Sequence, residues 1–233
     1  MNLSALLLRL SVTALPVIFA ITLHEAAHGF VAYRCGDDSA WKLGRVTINP
    51  LRHIDLVGTI LLPALLLLIS GGRFMFGYAK PVPVAFARLR RPRRDMVLVA
   101  AAGPAANLAL AVVSAGLVRL LAALPIEGAA ADWIAANLYV SILVNLILGI
   151  FNMLPLPPLD GGRVAVGLLP EALAVPLSRV ERFGIPILVL IIVLVPVAAV
   201  ASGHHLDLIA YVMDRPLSWL MSAMQWVSGA RYD

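Results

Sequence analysis

Charged residues are scarce in this chain of 233 residues. Lys, Arg, Asp and Glu together make up 13% of it, whereas hydrophobic residues make up 61%. Soluble globular domains are about 25% charged and about 45–50% apolar. The difference excludes a soluble protein and predicts an integral membrane protein, so the lipid bilayer is its first partner. A chain of this length predicts a single membrane-embedded domain over residues 1–233.

Cysteine is almost absent as well. The single Cys35 excludes an internal disulfide and belongs to no metal-ligand spacing. The net charge is +5, but most of the Lys and Arg residues lie between apolar runs, as they do in cytoplasmic loops. The excess of basic residues therefore reflects the orientation of the protein in the membrane, and no nucleic acid is expected as a partner. The most basic connection, residues 71–95, is predicted to be cytoplasmic.

Long apolar runs are abundant, and they predict an all-α polytopic fold with about five spanning helices. The run at residues 56–70 is interrupted by glycine and proline and is short for a span, which indicates a re-entrant or interfacial segment. Residues 163–182 mix charged and apolar positions and predict a helix on the cytoplasmic surface. In the loop after the first helix, residues 45–49 alternate as a short strand does. The predicted spans are about residues 4–34, 96–124, 133–153, 183–201 and 206–227.

The first span contains the segment His24-Glu25-Ala26-Ala27-His28. Two histidines four residues apart lie on one face of a helix, where they can bind one metal ion together. Glu25 can reach a water held at an open position of that metal and take its proton. Ionisable residues inside a membrane span are costly, so three of them together predict a functional site. The alternative is a soluble core helix with two hydrogen-bonded histidines, which the lipid-like surroundings disfavour.

A catalytic zinc site has three protein ligands and one open position, so a third ligand is needed. The extended motif of soluble metzincins would place a histidine at position 34, which is Arg34 here. Asp160 is the best candidate, because it follows a helix end broken by prolines and its flanking glycines allow the backbone to approach the metal. A carboxylate before Gly-Gly is, however, more often a turn residue. Asn107 is either a polar contact between helices or a partner of a metal ligand. The remaining acids and histidines considered are Asp37, Asp38, His53, Asp55, Glu127 and Asp132.

Together these residues resemble the site-2 proteases, intramembrane zinc metalloproteases that cut transmembrane segments. The resemblance implies one zinc ion per chain, with His24, His28 and Asp160 as ligands and Glu25 as general base. The matching motifs are His24-Glu25-x-x-His28, Asn152-x-x-Pro155-x4-Asp160-Gly161, GRVTINP at 44–50, AKPVPV at 79–84 and AGPxxN at 102–107.

The resemblance has further implications for the substrate and for the domain plan. Asn152 would steady the substrate or the tetrahedral oxyanion. Residues 44–49 would form a short cytoplasmic-side β-hairpin that pairs with an unwound substrate strand. We expect a short form of the family, with neither a PDZ insert between the second and third spans nor a C-terminal CBS domain.

The predicted function is that of an intramembrane zinc endopeptidase, which hydrolyses a peptide bond in or near a transmembrane segment of a membrane protein substrate. His24 and Asp160 must lie at one depth, so the first and third spans run in the same direction and the site lies nearer the cytoplasmic face. We expect the protein in the cell membrane of a prokaryote. The alternatives are a membrane metal-ion transporter or sensor, which would need ligands along a crossing path, and an inactive scaffold, which would not need Glu25.

Overall fold

The structure is a computed structural model that describes residues 3–69, 80–202 and 208–230. Within these ranges the chain is helical, with no β-strand, which agrees with the predicted all-α class. The predicted basic connection and the fifth predicted span each lie partly outside the described residues. The α-helices are α1 Leu3–Arg34, α2 Ser39–Lys42, α3 Leu62–Ile69, α4 Pro92–Ala123, α5 Ala129–Asn152, α6 Asp160–Leu168, α7 Glu171–Val180, α8 Gly184–Val189, α9 Val195–Ala201 and α10 Leu208–Ser228.

The centre of the molecule is formed by α1, α4 and α5, which pack against one another along their lengths. Helix α10 packs against α4 and α5. The core between α4, α5 and α10 combines small and large side chains, which lets the helix backbones approach closely. Its buried members are Ala111, Ala115, Ile142, Leu146 and Met224.

Four helices in the described ranges are long and apolar enough to cross a membrane, rather than the five predicted. They are Leu10–Arg34, Pro92–Ala123, Ala129–Asn152 and Glu171–Ala199. The fifth predicted span, residues 206–227, corresponds to α10. Asp214 and Arg215 lie within this helix, and charged residues lower the apolar character that a span requires. The count of five is therefore not supported.

The predicted surface helix at residues 163–182 is also divided differently. It consists of the end of α6 and the whole of α7, with a break at Leu169 and Pro170. Proline cannot donate a backbone hydrogen bond, so the helix ends before it. Helix α7 forms the first part of the fourth candidate span, so the second half of the predicted surface helix belongs to a segment apolar enough to cross a membrane.

The short apolar run at residues 56–70 forms a π-helical segment, Leu56–Leu61, followed directly by α3. Fourteen helical residues extend about 21 Å, less than the hydrocarbon core of about 30 Å. The two flanks of this region meet, because the Lys80 backbone N–H donates to the His53 carbonyl at 2.9 Å. Lys80 and His53 therefore lie side by side, and the re-entrant or interfacial character of residues 56–70 stays a prediction.

The predicted β-hairpin at residues 44–49 is not supported by the structure. This segment forms a turn followed by bends. Its backbone bonds are local: Arg45 N–H donates to the Ala40 carbonyl at 2.9 Å, and Asn49 N–H donates to the Thr47 hydroxyl oxygen at 3.1 Å. A segment with alternating side chains forms a strand only where another strand shares its backbone hydrogen bonds, and no strand is present among the described residues.

Candidate metal centre

Helix α1 brings His24 and His28 to the face that packs against α4. Both imidazoles are buried, and their Nε2 atoms lie 3.0 Å apart. The spacing of four residues accounts for this pairing, since residues one helical turn apart share a face. Leu10–Arg34 is one of the four candidate spans, so the pair lies within a segment suited to the membrane interior.

Asp160, the first residue of α6, completes the cluster. Its Oδ2 atom lies 3.2 Å from Nε2 of His24 and 3.3 Å from Nε2 of His28. Two glycines make this position possible, because a Cβ on Gly161 would lie 2.2 Å from the Met153 carbonyl oxygen and one on Gly162 2.3 Å from the Pro157 nitrogen. The start of α6 is therefore packed directly on the turn that follows α5.

The three residues fit a zinc ion. In a tetrahedral zinc site with bonds of about 2.0–2.1 Å, the ligand atoms lie about 3.3 Å from one another. The three atoms of the cluster are separated by 3.0, 3.2 and 3.3 Å. The Oδ2 atom of Asp160 is buried and has no hydrogen-bond partner among the described residues, and a buried carboxylate oxygen needs either such a partner or a cation. His24, His28 and Asp160 can thus hold a metal together.

Each histidine is held through its other ring nitrogen. His28 Nδ1 lies 2.7 Å from the carbonyl oxygen of Val99, and His24 Nδ1 lies 2.6 Å from Oδ1 of Asn107. Both partners belong to α4. A hydrogen bond at one ring nitrogen orients the other toward the metal, so α4 is the helix that aims both rings at the cluster. Asn107 makes both kinds of contact that the sequence allows: Oδ1 lies beside His24, and Nδ2 donates to Oδ1 of Asn145 on α5 at 2.8 Å.

Glu25 is half-buried and follows His24 on α1. Its Oε2 accepts a hydrogen bond of 2.8 Å from the Val82 backbone N–H. Val82 lies in the non-helical segment that precedes α4. The same segment packs against α1, since a Cβ on Gly29 would lie 3.1 Å from Cγ1 of Val82. The carboxylate of Glu25 is therefore fixed by a backbone group and is not joined to the His24, His28 and Asp160 cluster.

The other candidate ligands in the loop after α1 have different partners. Asp55 accepts from the N–H groups of Val57 and Gly58 and so caps the helix that follows it. Asp38 pairs with Lys42, and His53 Nε2 lies 3.2 Å from the Thr47 carbonyl. Among the described residues, Asp160 and none of these three lies in a metal-binding group with the two histidines.

Asp37 is buried and joins two connections outside the candidate spans. Its carboxylate accepts from Ser39 N–H, from the Ser39 hydroxyl and from Ala85 N–H, at 3.1, 2.5 and 2.6 Å. Burial by itself would raise the pKa of this carboxyl, but these hydrogen bonds hold the pKa of Asp37 below its usual value of 3.8. Asp37 is thus a structural carboxylate between α1 and the segment before α4.

Asn152 is the last residue of α5, and its side-chain amide donates to the Leu148 carbonyl one turn earlier at 3.0 Å. The role predicted for it, contact with substrate or oxyanion, stays a prediction. Sequence reasoning missed Asn145 and the Val82 amide. Asn145 could have been found from the sequence, since an amide inside an apolar span is costly and indicates a functional or structural role. A backbone N–H that holds a carboxylate leaves no such signal.

A bundle of apolar helices with His-Glu-x-x-His on one candidate span, and beside it a carboxylate from the start of a distant helix, is the arrangement of a membrane metalloprotease. Sequence comparison identifies the family: the profile of peptidase family M50 matches residues 12–125 and 116–195. The chain belongs to this family, that of the site-2 proteases. It is accordingly a zinc metalloprotease, with zinc as its cofactor.

Curated relatives carry consistent names. The chain is 42% identical over 170 residues to "Putative zinc metalloprotease YwhC" of Bacillus subtilis, covering 72% of this chain and 74% of that protein. It is 31% identical over 177 residues to "Putative zinc metalloprotease Rip2" of Mycolicibacterium smegmatis, covering 76% and 64%. A third relative, "Putative zinc metalloprotease Rip3" of Mycobacterium tuberculosis, is 30% identical over 158 residues, which is 29% of its own length. These relatives are bacterial. No solved structure matches the chain significantly.

Proposed function

We propose that this protein is an intramembrane zinc endopeptidase, which hydrolyses a peptide bond in or near a transmembrane segment of a membrane protein. The observation that supports the proposal is the position of the histidine pair along α1, inside the candidate span Leu10–Arg34. His28 and His24 lie six and ten residues before the end of α1 at Arg34, which is about 9 and 15 Å along the helix axis. A substrate bond that reaches this site would lie within the membrane boundary.

In this proposal His24, His28 and Asp160 hold the zinc ion, which supplies Lewis-acid activation of water and of the scissile carbonyl when bound. Glu25 acts as general base and general acid. Its carboxylate takes one proton from the attacking water and later gives that proton to the nitrogen of the leaving amine. Because Oε2 is engaged by the Val82 N–H, we assign the transferred proton to Oε1.

The substrate must present an extended backbone to this site. In a transmembrane helix the backbone groups are bonded to one another, so the segment has to unwind locally before its amide can react. Asn152 is proposed to contact the substrate or the developing oxyanion, and loss of one such donor would cost about 3 kcal/mol. To do so, its amide would have to leave the Leu148 carbonyl.

We further propose that the site lies nearer the cytoplasmic face and that residues 1–233 act as one domain. The end of α1, the start of α4 and the end of α6 lie together, because Arg90 N–H donates to the Cys35 carbonyl and Arg93 donates to the carbonyls of Gly167 and Leu169. Several arginines lie at this end, which is the arrangement that the positive-inside bias favours on the cytoplasmic side.

The test uses purified protein in proteoliposomes with single-span substrates tagged at both ends. The wild-type protein should cut within or next to the span, and a metal chelator should stop it. Glu25→Gln should abolish cleavage and keep about one zinc per chain, because Glu25 is a base and not a ligand. A Glu25→Gln protein that stays folded but loses zinc would refute the assignment. Cleavage confined to soluble loops remote from the span would refute the intramembrane activity.

A further inference from the structure

We propose that Asn145 is a positioning residue for the metal centre: through Asn107 it sets the tautomer of His24 and thereby strengthens zinc binding. Asn145 belongs to α5 and contacts Asn107 rather than His24. The inference rests on the proposed function in one respect, the assignment of His24 as a zinc ligand. It concerns a hydrogen-bonded chain that is almost entirely buried, with Asn107 0% and Asn145 1% exposed.

The direction of each hydrogen bond follows from the backbone carbonyls at the ends of this chain, since a carbonyl can only accept. Asn145 Nδ2 donates to the Ser141 carbonyl at 2.8 Å. Its Oδ1 is thereby turned to Asn107 and accepts from Asn107 Nδ2 at 2.8 Å. The same Nδ2 also faces the Ala20 carbonyl at 3.3 Å. Both contacts require that the amide nitrogen of Asn107 points away from His24.

The oxygen of Asn107 consequently faces His24. Its Oδ1 lies 2.6 Å from Nδ1 of His24, and an amide oxygen can only accept, so Nδ1 carries the hydrogen. A neutral imidazole with hydrogen on Nδ1 has its lone pair on Nε2, the atom that faces Asp160. His28 reaches the same tautomer by a shorter route, because Nδ1 bonds directly to the Val99 carbonyl. The tautomer of His28 is thus set by a backbone carbonyl, and that of His24 by two asparagines.

Asn137 shows which part of this arrangement is specific. It lies eight residues before Asn145 on α5, is also buried, and donates through Nδ2 to the Trp133 carbonyl four residues earlier at 2.9 Å. Its Oδ1 has no partner among the described residues. The two asparagines thus share a helix and a local bond, and they differ in what the side-chain oxygen does. Asn137 is therefore a matched control.

Removal of the Asn145 oxygen should release the orientation of Asn107. With Asn145→Leu, Asn107 Nδ2 keeps only the longer contact with Ala20, and the amide can turn its nitrogen to His24. That orientation favours hydrogen on Nε2, which competes with zinc. Loss of such outer partners typically lowers metal affinity about 10–100-fold. We expect Asn145→Leu to weaken zinc binding by at least about tenfold and Asn137→Leu to change it by less than about threefold.

A second substitution separates orientation from packing. In Asn107→Asp both side-chain oxygens are acceptors, so an oxygen faces His24 Nδ1 whichever way the group turns. Asn145→Leu should therefore have little further effect on zinc affinity in the Asn107→Asp protein. A packing defect would persist in that background. The comparison is a double-mutant cycle, which isolates the coupling between the two positions.

Zinc affinity is measured on metal-free protein in detergent by competition with a zinc-binding dye, and thermal unfolding of the metal-free variants shows that each is folded. If Asn145→Leu does not fold, Asn145→Ala takes its place in the same cycle. Wild-type affinity in the position 145 variant, an equal loss in Asn137→Leu, or no rescue by Asn107→Asp would each overturn the inference. His24→Ala tests the assignment of His24 as a zinc ligand. If this variant still binds zinc tightly, the proposed function fails. If it loses zinc while the position 145 variant binds zinc as the wild type does, only the present inference is rejected.

Discussion

Gly103 on α4 shows how one residue controls the approach of two helices at the metal centre. A Cβ at this position would lie 2.4 Å from Nε2 of His28 and 2.5 Å from Cε1 of His24. Those distances are far shorter than a normal contact, so either the rings or the helices would have to move. The absence of a side chain at position 103 is thus what allows α4 to lie against the histidine pair.

We expect Gly103→Ala to displace both imidazoles and to lower zinc affinity and cleavage together, each by at least about tenfold. Gly116→Ala is the matched control. It lies on the same helix, where nothing comes within 4 Å of the added Cβ, and alanine slightly favours a helix. Zinc content and initial cleavage rates are compared for the two variants. Normal zinc binding by Gly103→Ala would show that the site accommodates the methyl group without loss.

Asp160 allows a test between a ligand and a turn residue. If it completes the site, Asp160→Ala and Asp160→Asn should both lose tight zinc and activity, since a neutral amide is a poor substitute for a carboxylate on zinc. Asparagine is, by contrast, a good replacement in a turn. Bound zinc is measured by elemental analysis of both purified variants. Full zinc and full activity in Asp160→Asn would leave the site without its third ligand.

At the scale of elements, the cluster depends on how α5 ends and α6 begins. Prolines 155, 157 and 158 lie between these helices and prevent a single continuous helix. Gly161 and Gly162 then let α6 start against the turn. This arrangement places Asp160 beside α1, although more than 130 residues separate it from His24 in the sequence. A second junction, made by Asp37, joins the loop after α1 to the segment that carries Val82.

The junction at Asp37 predicts a pH dependence of stability. The pKa of Asp37 is lower in the folded protein than its usual 3.8, so its carboxylate stabilises the fold above that pH, and the contribution is lost as the pH falls through the folded pKa. Asp37→Asn should cost about 1–3 kcal/mol at pH 7, and the difference from wild type should shrink toward pH 3.

Thermal unfolding in detergent between pH 3 and 7 measures this difference. Asp38→Asn is the control, because the Asp38 carboxylate makes exposed ion pairs with Lys42 and Arg88, and such pairs are worth less than about 1 kcal/mol. An Asp37→Asn protein with wild-type stability at every pH would show that the junction does not depend on the charge.

For the whole molecule, the packing of α1, α4 and α5 indicates the direction in which each of these helices would cross the membrane. Helices α1 and α4 are antiparallel, since His28 contacts Val99 whereas Asn107, eight residues later on α4, contacts Ala20. The Lys80–His53 hydrogen bond brings the flanks of the short apolar region to one level. The four candidate spans and the Lys80–His53 contact together predict which loops lie on the same side of the membrane.

Accessibility labelling tests that pattern in a Cys35→Ala background, which has no other cysteine. We expect Arg52→Cys and Lys80→Cys to react with an impermeant thiol reagent from the same side, and Glu127→Cys, at the far end of α4, from the opposite side. All three positions are exposed. Labelling of positions 52 and 80 from opposite sides would mean that the region between them crosses the membrane.

The sequence alone determined the membrane class, the first, second and third spans, the histidine pair and Glu25. These features are local: apolar runs follow from composition over one segment, and the spacing of His24 and His28 fits one helical turn. Asp160 was the best of several candidates for the third ligand, and the structure places its Oδ2 atom 3.2 and 3.3 Å from the Nε2 atoms of the two histidines. Its selection from the sequence depended on a pattern of prolines and glycines around it.

Only the tertiary structure decided how distant segments meet. The position of Asp160 beside the histidines, the contact of Val82 with Glu25 and the return of Lys80 to His53 each join residues that are far apart in the chain. Residues 44–49 were expected to be a hairpin because alternation is visible in one segment, but a strand requires a partner that the segment itself does not contain. Asn145 is a second example, at the level of a side chain. The sequence shows a costly amide in an apolar span, and only the packing of α5 against α4 shows that this amide is hydrogen-bonded to Asn107, which contacts His24.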